Sequence, residues 1–237
     1  MAGIEIVGLS KAFTVDGKPL PVLKGVNLSL REGEITVVLG KSGCGKTTLL
    51  RLVAGLEKPD GGEIRMPEGE RTGFVFQEPR LMPWLNVQDN VRFALGRGSK
   101  DAADIPCILE TVGLAGFERA YPHQLSGGMQ QRVVLARALA WRPSFIMMDE
   151  PFAALDHFTR EDMQRELLSV RRRMGASILF VTHSIDEALA LGDSVVLLGG
   201  GVVAARFPVP QAHPRSLLTD GMIALRRQIV SALETTV

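Results

Sequence analysis

The chain of 237 residues is 46% hydrophobic and 22% charged, with 27 Lys and Arg against 26 Asp and Glu. This composition excludes a largely disordered chain and argues against binding nucleic acid through a general basic excess. Two cysteines, Cys44 and Cys107, are too few for a disulfide scaffold and lack metal-site spacing, so we expect a reducing compartment. The sequence predicts neither a signal peptide nor a membrane span.

Hydrophobic periodicity predicts strands that alternate with helices. Residues 4–9 and 22–31 alternate apolar and polar positions, which is typical of half-buried strands. Continuously apolar runs, typical of strands covered on both faces of a parallel sheet, follow at 34–40, 145–149, 177–183 and 194–200. Helical patterns cover residues 46–55, 128–141, 159–174, 185–191 and 222–234. The alternation predicts an α/β fold with right-handed crossovers.

The stretch from about 80 to 142 has a different pattern, because its helical periodicity is broken by Gly and Pro and shows no convincing strand. We predict a single domain over residues 1–237. In it, about 1–79 and 143–237 form the α/β core, and about 80–142 form an inserted helical subdomain.

A phosphate-binding loop is predicted directly after the strand 34–39. Residues 40–47 match G-x-x-x-x-G-K-[ST] in full, between a predicted strand and a predicted helix. Backbone N–H groups of such a loop bind phosphate oxygens, while Lys46 reaches the β- and γ-phosphates and Thr47 supplies a ligand to Mg²⁺. A glycine-rich turn without a ligand is the alternative, which the complete motif disfavours. The predicted nucleotide contacts here are Gly40, Ser42, Gly43, Cys44, Gly45, Lys46, Thr47 and Thr48.

Three further side chains are candidates for catalysis. Asp149 and Glu150 end an apolar strand, so we expect Asp149 to hold the Mg²⁺ hydration shell and Glu150 to act as general base for the attacking water. An ordinary acidic turn before Pro151 is the alternative. His183 ends another apolar strand, where a structural histidine is the alternative to an imidazole aimed at the γ-phosphate.

The string Leu125-Ser126-Gly127-Gly128-Met129-Gln130-Gln131-Arg132 resembles the LSGGQ signature of ATP-binding-cassette (ABC) ATPases, with Met where the short consensus has Gln. The resemblance covers nearly the whole chain. It implies a P-loop NTPase core with a mainly parallel sheet, an N-terminal antiparallel β subdomain and an inserted α-helical subdomain. By the same resemblance Gln77 is the Q-loop residue, Asp156 belongs to the D-loop, His183 is the switch histidine and Phe13 stacks on adenine.

The resemblance also implies that two copies share their sites. Ser126, Gly127 and Gly128 would bind the γ-phosphate of a nucleotide held by the opposite copy, in a head-to-tail dimer. Asp156 would lie at the same interface, and Gln77 would contact Mg²⁺ or the attacking water. ATP and Mg²⁺ are the implied cofactors.

Single copies of each motif match an importer subunit, and residues 75–91 resemble the nitrate/sulfonate/taurine branch. The resemblance implies that a groove for a permease coupling helix is lined by Arg80, Leu81, Pro83 and Trp84. The alternative is that Trp84 and Leu85 simply pack in the helical subdomain. Residues 61–73 and 96–106 are shorter than is usual in the family.

The sequence therefore predicts an ATPase subunit at the cytoplasmic face of the plasma membrane, powering uptake of a small oxyanion such as an aliphatic sulfonate, taurine or nitrate. Expected partners are a second copy, permease subunits and, indirectly, an extracytoplasmic solute-binding protein, with no nucleic acid. Alternatives are a nucleotide-dependent switch in a non-transport complex and an importer ATPase for another solute. A P-loop kinase is disfavoured by the LSGG string and His183.

Overall fold

A computed structural model of the protein describes residues 3–95 and 104–236. Most of the shortened segment 96–106 lies outside the described residues. The described chain divides into two compact units, one formed by residues 3–70 and 177–236 and the other by residues 71–95 and 104–176. The functional subdivision predicted at about 80 and 142 stays a prediction.

The first unit contains an antiparallel sheet and a mainly parallel sheet segment. Its strands are β1 (Ile4–Val15), β2 (Lys18–Leu30), β3 (Ile35–Leu39), β4 (Gly61–Arg65), β7 (Ser177–Thr182), β8 (Ser194–Gly199) and β9 (Val202–Pro208). Its helices are α1 (Lys46–Val53), α6 (Ile185–Leu191) and α7 (Asp220–Thr235).

The second unit is mostly helical. Its strands are β5 (Thr72–Val75) and β6 (Phe145–Asp149), which pair in parallel. Its helices are α2 (Val87–Phe93), α3 (Ile105–Thr111), α4 (Gly127–Ala140) and α5 (His157–Met174). Between residues 80 and 142, the described part of the chain contains helices and turns but no strand, as the sequence predicted.

The antiparallel sheet has the order β2-β1-β4, and its hairpin turn explains why its strands exceed the predicted ranges. Asp16 and Gly17 have φ values of 49° and 74°, the left-handed backbone that a two-residue hairpin turn needs. The strand ends beside this turn are exposed on both faces, so they lack the alternation from which the strands were predicted.

In the other sheet segment, β3 lies between β7 and β8 and is parallel to both, while β9 pairs with β8 in the antiparallel sense. Every residue of β3, β7 and β8 is buried, which explains their continuous apolar runs. The arrangement confirms the predicted α/β class. Among the described residues, no helix has both the length and the apolar character needed to cross a bilayer.

Three strands were missed: β4, β5 and β9. Both β4 and β9 are largely solvent-exposed and lie at the edge of their sheets, so neither contains a run of buried apolar residues. The sequence Thr72-Gly73-Phe74-Val75 of β5 is too short for periodicity to identify. Short and edge strands are stabilised by their neighbours more than by their own composition.

Candidate nucleotide site

The phosphate loop connects the end of β3 to the start of α1, as predicted. Gly43 and Gly45 have φ values of 79° and 102°, which only glycine adopts without strain. Gly45 is also the residue that precedes α1, so no side chain occupies the N-terminus of that helix. Because a helix N-terminus carries partial positive charge and unpaired N–H donors, it is suited to bind an anion.

The Lys46 ammonium is buried inside this loop, with only 5% of the residue exposed. It donates hydrogen bonds to the carbonyl oxygens of Gly40 (2.9 Å) and Lys41 (3.1 Å). A Cβ atom at Gly40 would lie 2.4 Å from the Leu198 carbonyl oxygen, so the close packing here requires glycine. The loop therefore holds a positive charge in a defined place.

The other predicted nucleotide contacts of the first unit are accessible. Ser42 and Gly43 are exposed, and Cys44, Thr47 and Thr48 are half-buried. Phe13 on β1 lies opposite Leu20, is 37% exposed and has the Lys11 ammonium 5.4 Å from its ring centroid. Its ring is thus available for stacking.

His183 directly follows β7 and is exposed. The hydroxyl of Thr182 donates to the Glu187 carboxylate at 2.5 Å, and the Ser184 hydroxyl accepts from the Glu187 backbone N–H. The residues on both sides of His183 are therefore fixed to α6. This placement differs from that of a buried core histidine.

In the second unit, β6 ends at the two predicted carboxylates. Asp149 is 7% exposed, and Glu150 has a φ of 43°. A non-glycine residue in this left-handed region is strained, and such strain concentrates at functional sites. The backbone therefore leaves the strand conformation at Glu150, immediately after Asp149.

The signature string begins a helix. Ser126 precedes α4, and its hydroxyl accepts a hydrogen bond from the Met129 backbone N–H at 3.3 Å. Gly127 is exposed and Gly128 is buried. The N-terminus of α4 thus presents a hydroxyl and backbone N–H groups, which suits an anion.

Asp156 precedes α5 and caps it. One carboxylate oxygen accepts from the Thr159 backbone N–H at 3.0 Å, and the other accepts from the Thr159 hydroxyl at 2.6 Å. These two bonds, the hydroxyl first, lower the pKa of Asp156 below its ordinary value. Thr159 was not among the residues predicted from sequence.

Gln77 lies just after β5 and is exposed. A groove of about 380 Å³ in the same unit is lined in part by Phe76, Arg80, Phe93 and Trp141. The Arg80 guanidinium lies 4.7 Å from the Phe76 ring centroid.

Trp84 is 71% exposed, so it does not pack in the interior of this unit. The buried Asn90 side chain holds the loop that carries Trp84. Its oxygen accepts from the Met82 N–H, and its amide donates to the carbonyls of Met82, Leu85 and Asn86. Asn90 was not predicted from the sequence, although a polar residue on the same helical face as Val87 and Val91 was a usable signal.

Each unit holds part of the predicted site. The phosphate loop, Phe13 and His183 belong to the first unit. The predicted residues of the second unit are Gln77, Ser126, Gly127, Gly128, Asp149, Glu150 and Asp156.

An ion pair made by the last residue of the signature string connects α4 to α5. The Arg132 guanidinium lies 2.5 Å from the Glu166 carboxylate and also donates to the Val112 carbonyl at 2.8 Å. Burial raises the pKa of Glu166 to about 7, and Asp162 adds to this shift while Arg132 opposes it. The Glu166 carboxyl therefore titrates near neutral pH.

This titration predicts how stability depends on pH. The pKa of Glu166 in the folded state lies above its ordinary value of 4.5, so between about pH 4.5 and 7 the folded state binds more protons than the unfolded state. The contribution of Glu166 to the free energy of unfolding therefore falls as pH rises through that window. We expect Glu166→Gln to reduce the decline in melting temperature between pH 5 and 8 by a few degrees, at about 2–4 °C per kcal/mol. Glu110→Gln, at an exposed position on α3, is the control and should keep the wild-type slope. If the melting temperatures of wild type and Glu166→Gln fell equally with pH across this range, the raised pKa of Glu166 would be contradicted.

The P-loop class of nucleotide-binding proteins is defined by a strand, a glycine loop with Lys and Thr, and a helix, in this order. The family model described as ABC transporter matches residues 23–153. The chain belongs to the ABC transporter family and is an ATP-binding ATPase of that family.

Relatives of known name support this membership. The chain is 42% identical to an uncharacterized ABC transporter ATP-binding protein of Methanocaldococcus jannaschii, over 99% of this chain and 92% of the relative. It is 40% identical to the aliphatic sulfonates import ATP-binding protein SsuB of Bacillus subtilis, over 95% of this chain and 92% of that protein. It is 46% identical to SsuB 1 of Pseudomonas savastanoi pv. phaseolicola, over 90% of each chain.

Solved structures agree. The dimeric structure of a bacterial ABC transporter cassette is 31% identical, with a TM-score of 0.77 over 88% of this chain and all of the other. A post-hydrolysis state of that cassette, bound to ADP and Pi, gives a TM-score of 0.76 at the same identity and coverage. The predicted family and P-loop fold are confirmed.

Proposed function

We propose that the chain is the ATP-hydrolysing subunit of an ABC importer for a small oxyanion, with an aliphatic sulfonate as the first candidate and taurine or nitrate as the others. The observation that carries this proposal is the identity of 40–46% to proteins named for aliphatic sulfonate import, over at least 90% of the chain. The proposed nucleotide-binding core is residues 1–79 and 143–237, with residues 80–142 as the helical subdomain.

Three side chains are assigned to hydrolysis. Lys46 binds the β- and γ-phosphates, His183 orients the γ-phosphate and water, and Glu150 accepts the proton of the water that attacks the γ-phosphorus. The P–O bond to ADP breaks, and phosphate is released. The exposed His183 and the left-handed backbone at Glu150 support these roles, because each residue directly follows a buried strand of its own unit.

Mg²⁺ is the proposed metal, held by Thr47 and Asp149 with Gln77 in contact with it or with water. These oxygen ligands suit the ion, and the low exposure of Asp149 limits competition from bulk water. When bound, Mg²⁺ neutralises the charge that develops on the phosphate oxygens.

A second copy is the proposed partner at the signature string. A Cβ atom built at Gly127 meets nothing within 4 Å among the described residues, so this glycine faces space that a nucleotide of another copy could occupy. Similarity to a cassette described as dimeric supports the same arrangement. Ser126, Gly127 and Gly128 would contact the partner's γ-phosphate, Asp156 would lie at the interface, and Phe13 would stack on adenine.

Permease subunits are the proposed membrane partners, which would place the chain at the cytoplasmic face of the plasma membrane. The groove beside Arg80 and the exposed Trp84 support this, since aromatic and arginine side chains commonly anchor interfaces. Leu81 and Pro83 are assigned to the same surface. An extracytoplasmic solute-binding protein would act through the permease.

Growth of a deletion strain tests the solute. We expect deletion of the gene for this chain to abolish growth on an alkanesulfonate as sole sulfur source and to leave growth on sulfate unchanged. Wild-type chain should restore growth, and Lys46→Ala should not. Parallel cultures on taurine and on nitrate as sole nitrogen source separate the other two candidates.

Purification from detergent-solubilised membranes tests the transport role itself. If the chain is recovered together with a polytopic permease, the result supports its role as an importer subunit. Normal growth on all three solutes together with no membrane partner would contradict the proposal and favour a switch in a non-transport complex.

A further inference from the structure

We infer that Thr159 is a positioning residue that holds Asp156 and the signature glycine Gly128 in a fixed relation through its one side chain. The inference rests on the proposed function, in which both residues meet a second copy. All three residues belong to the second unit.

The hydroxyl branch of Thr159 fixes Asp156. Its Oγ1 donates to one carboxylate oxygen at 2.6 Å, while the Thr159 backbone N–H donates to the other at 3.0 Å. The carboxylate of Asp156 is exposed, and without these bonds it would rotate freely in water. With both oxygens engaged, the carboxylate keeps one orientation.

The methyl branch of Thr159 packs on Gly128. A Cβ atom built at Gly128 would lie 2.5 Å from the Thr159 Cγ2 atom and 3.9 Å from its Cβ. Gly128 has ordinary helical backbone, so a left-handed φ does not explain the glycine. The methyl group explains it, because Thr159 occupies the space that a side chain at 128 would need.

These two contacts are coupled by covalent geometry. The hydroxyl and methyl groups share the Cβ atom of a β-branched residue, and rotation about χ1 moves both together. A rotation of Thr159 about χ1 that breaks the hydroxyl contact with Asp156 therefore also removes the methyl group from Gly128. The first turn of α4 and the cap of α5 are thus connected by a single torsion angle.

Gly127 shows the contrast within the same string. A Cβ atom there meets nothing within 4 Å in the described chain, whereas one at Gly128 collides with Thr159. The two glycines therefore serve different purposes: Gly127 leaves space outside the unit, and Gly128 leaves space for Thr159.

Two variants separate the two branches in a Glu150→Gln background, with ATP-dependent dimerisation measured by sizing chromatography. Thr159→Val keeps the shape and removes the hydroxyl, and Thr159→Ser keeps the hydroxyl and removes the methyl group. We expect Thr159→Val to raise the ATP concentration for half-maximal dimer roughly three- to tenfold, the scale of one hydrogen bond, and Thr159→Ser to raise it by a smaller factor. Thr111→Val, which removes an exposed hydroxyl on α3, should leave this concentration unchanged.

Rescue tests the methyl contact directly. Gly128→Ala should lower the melting temperature by roughly 3–8 °C through overpacking, and addition of Thr159→Ser should restore most of it by removing the colliding atom. Gly127→Ala should melt within about 1 °C of wild type, as is usual for substitutions at exposed positions.

The outcomes distinguish this inference from the proposed function. If Glu150→Gln alone fails to dimerise with saturating ATP, the shared-site proposal fails, while the melting rescue still tests the packing of Thr159 on Gly128. If Glu150→Gln dimerises and both Thr159 variants need the same ATP concentration as their parent, the positioning role is overturned. A fall in melting temperature with no change in that concentration shows a structural role only and equally overturns it.

Discussion

Glu150→Gln is expected to lower ATP hydrolysis by about 10²–10⁴-fold, the range that a general base contributes, while ATP binding is retained. Glutamine has the shape of glutamate but cannot accept a proton at neutral pH. The backbone strain at Glu150, with φ at 43°, is unchanged by this substitution because both side chains have the same Cβ geometry. The variant should therefore fold as wild type and accumulate with ATP bound.

The same variant should form a stable dimer in ATP and Mg²⁺, because the nucleotide proposed to hold two copies together would no longer be consumed. Sizing chromatography with saturating ATP measures this, and ADP in place of ATP should give the monomer. Glu161→Gln, at an exposed position of α5, is the matched control and should hydrolyse ATP at the wild-type rate. A monomeric Glu150→Gln with bound ATP would contradict the shared site, and unchanged hydrolysis would contradict the role of Glu150.

Lys46→Ala is expected to weaken ATP binding by roughly a hundredfold or more, since one hydrogen bond to a charged group contributes about 1.5–3 kcal/mol and Lys46 is assigned to two phosphates. The ammonium is held in the loop by two carbonyl oxygens, so its charge is already in place when the nucleotide arrives. Such preorganisation lowers the entropic cost of binding. Titration with a fluorescent ATP analogue measures the loss.

Lys41→Ala provides the control in the same loop. It removes an equal charge, but Lys41 is exposed and donates to the Thr236 carbonyl at 3.3 Å. We expect its ATP affinity to remain within about threefold of wild type, because exposed charges are screened by solvent and salt. Equal losses in the two variants would show that net charge, rather than the placement of the Lys46 ammonium, governs binding.

Much of the fold was predictable because buried strands and glycine loops have strong local signals. The runs that became β3, β7 and β8 are apolar throughout because both of their faces are covered, and the phosphate loop is defined by residue types at fixed spacing. The edge strand β9 lacks such a signal, since its pairing with β8 depends on a neighbour and not on its own residues.

The candidate site was predictable as a set of residue types but not as a set of contacts. The sequence predicted Asp156 and Gly128 separately, through a resemblance. It did not predict that Thr159 contacts both, because each contact depends on how α4 and α5 pack. The left-handed backbone at Glu150 was equally hidden, since glutamate has no preference for that conformation.

In the loop around Trp84, one residue determines the shape of the loop and a different residue is exposed to solvent. Asn90 satisfies the backbone groups of Met82, Leu85 and Asn86 from inside, while Trp84 extends into solvent without contributing to that network. Substitution of an exposed residue outside such a network usually changes stability by less than about 0.5 kcal/mol. Position 84 is therefore free to diversify at little cost to folding, whereas position 90 is constrained, so the side chain shown to solvent can change without a change in the loop that presents it.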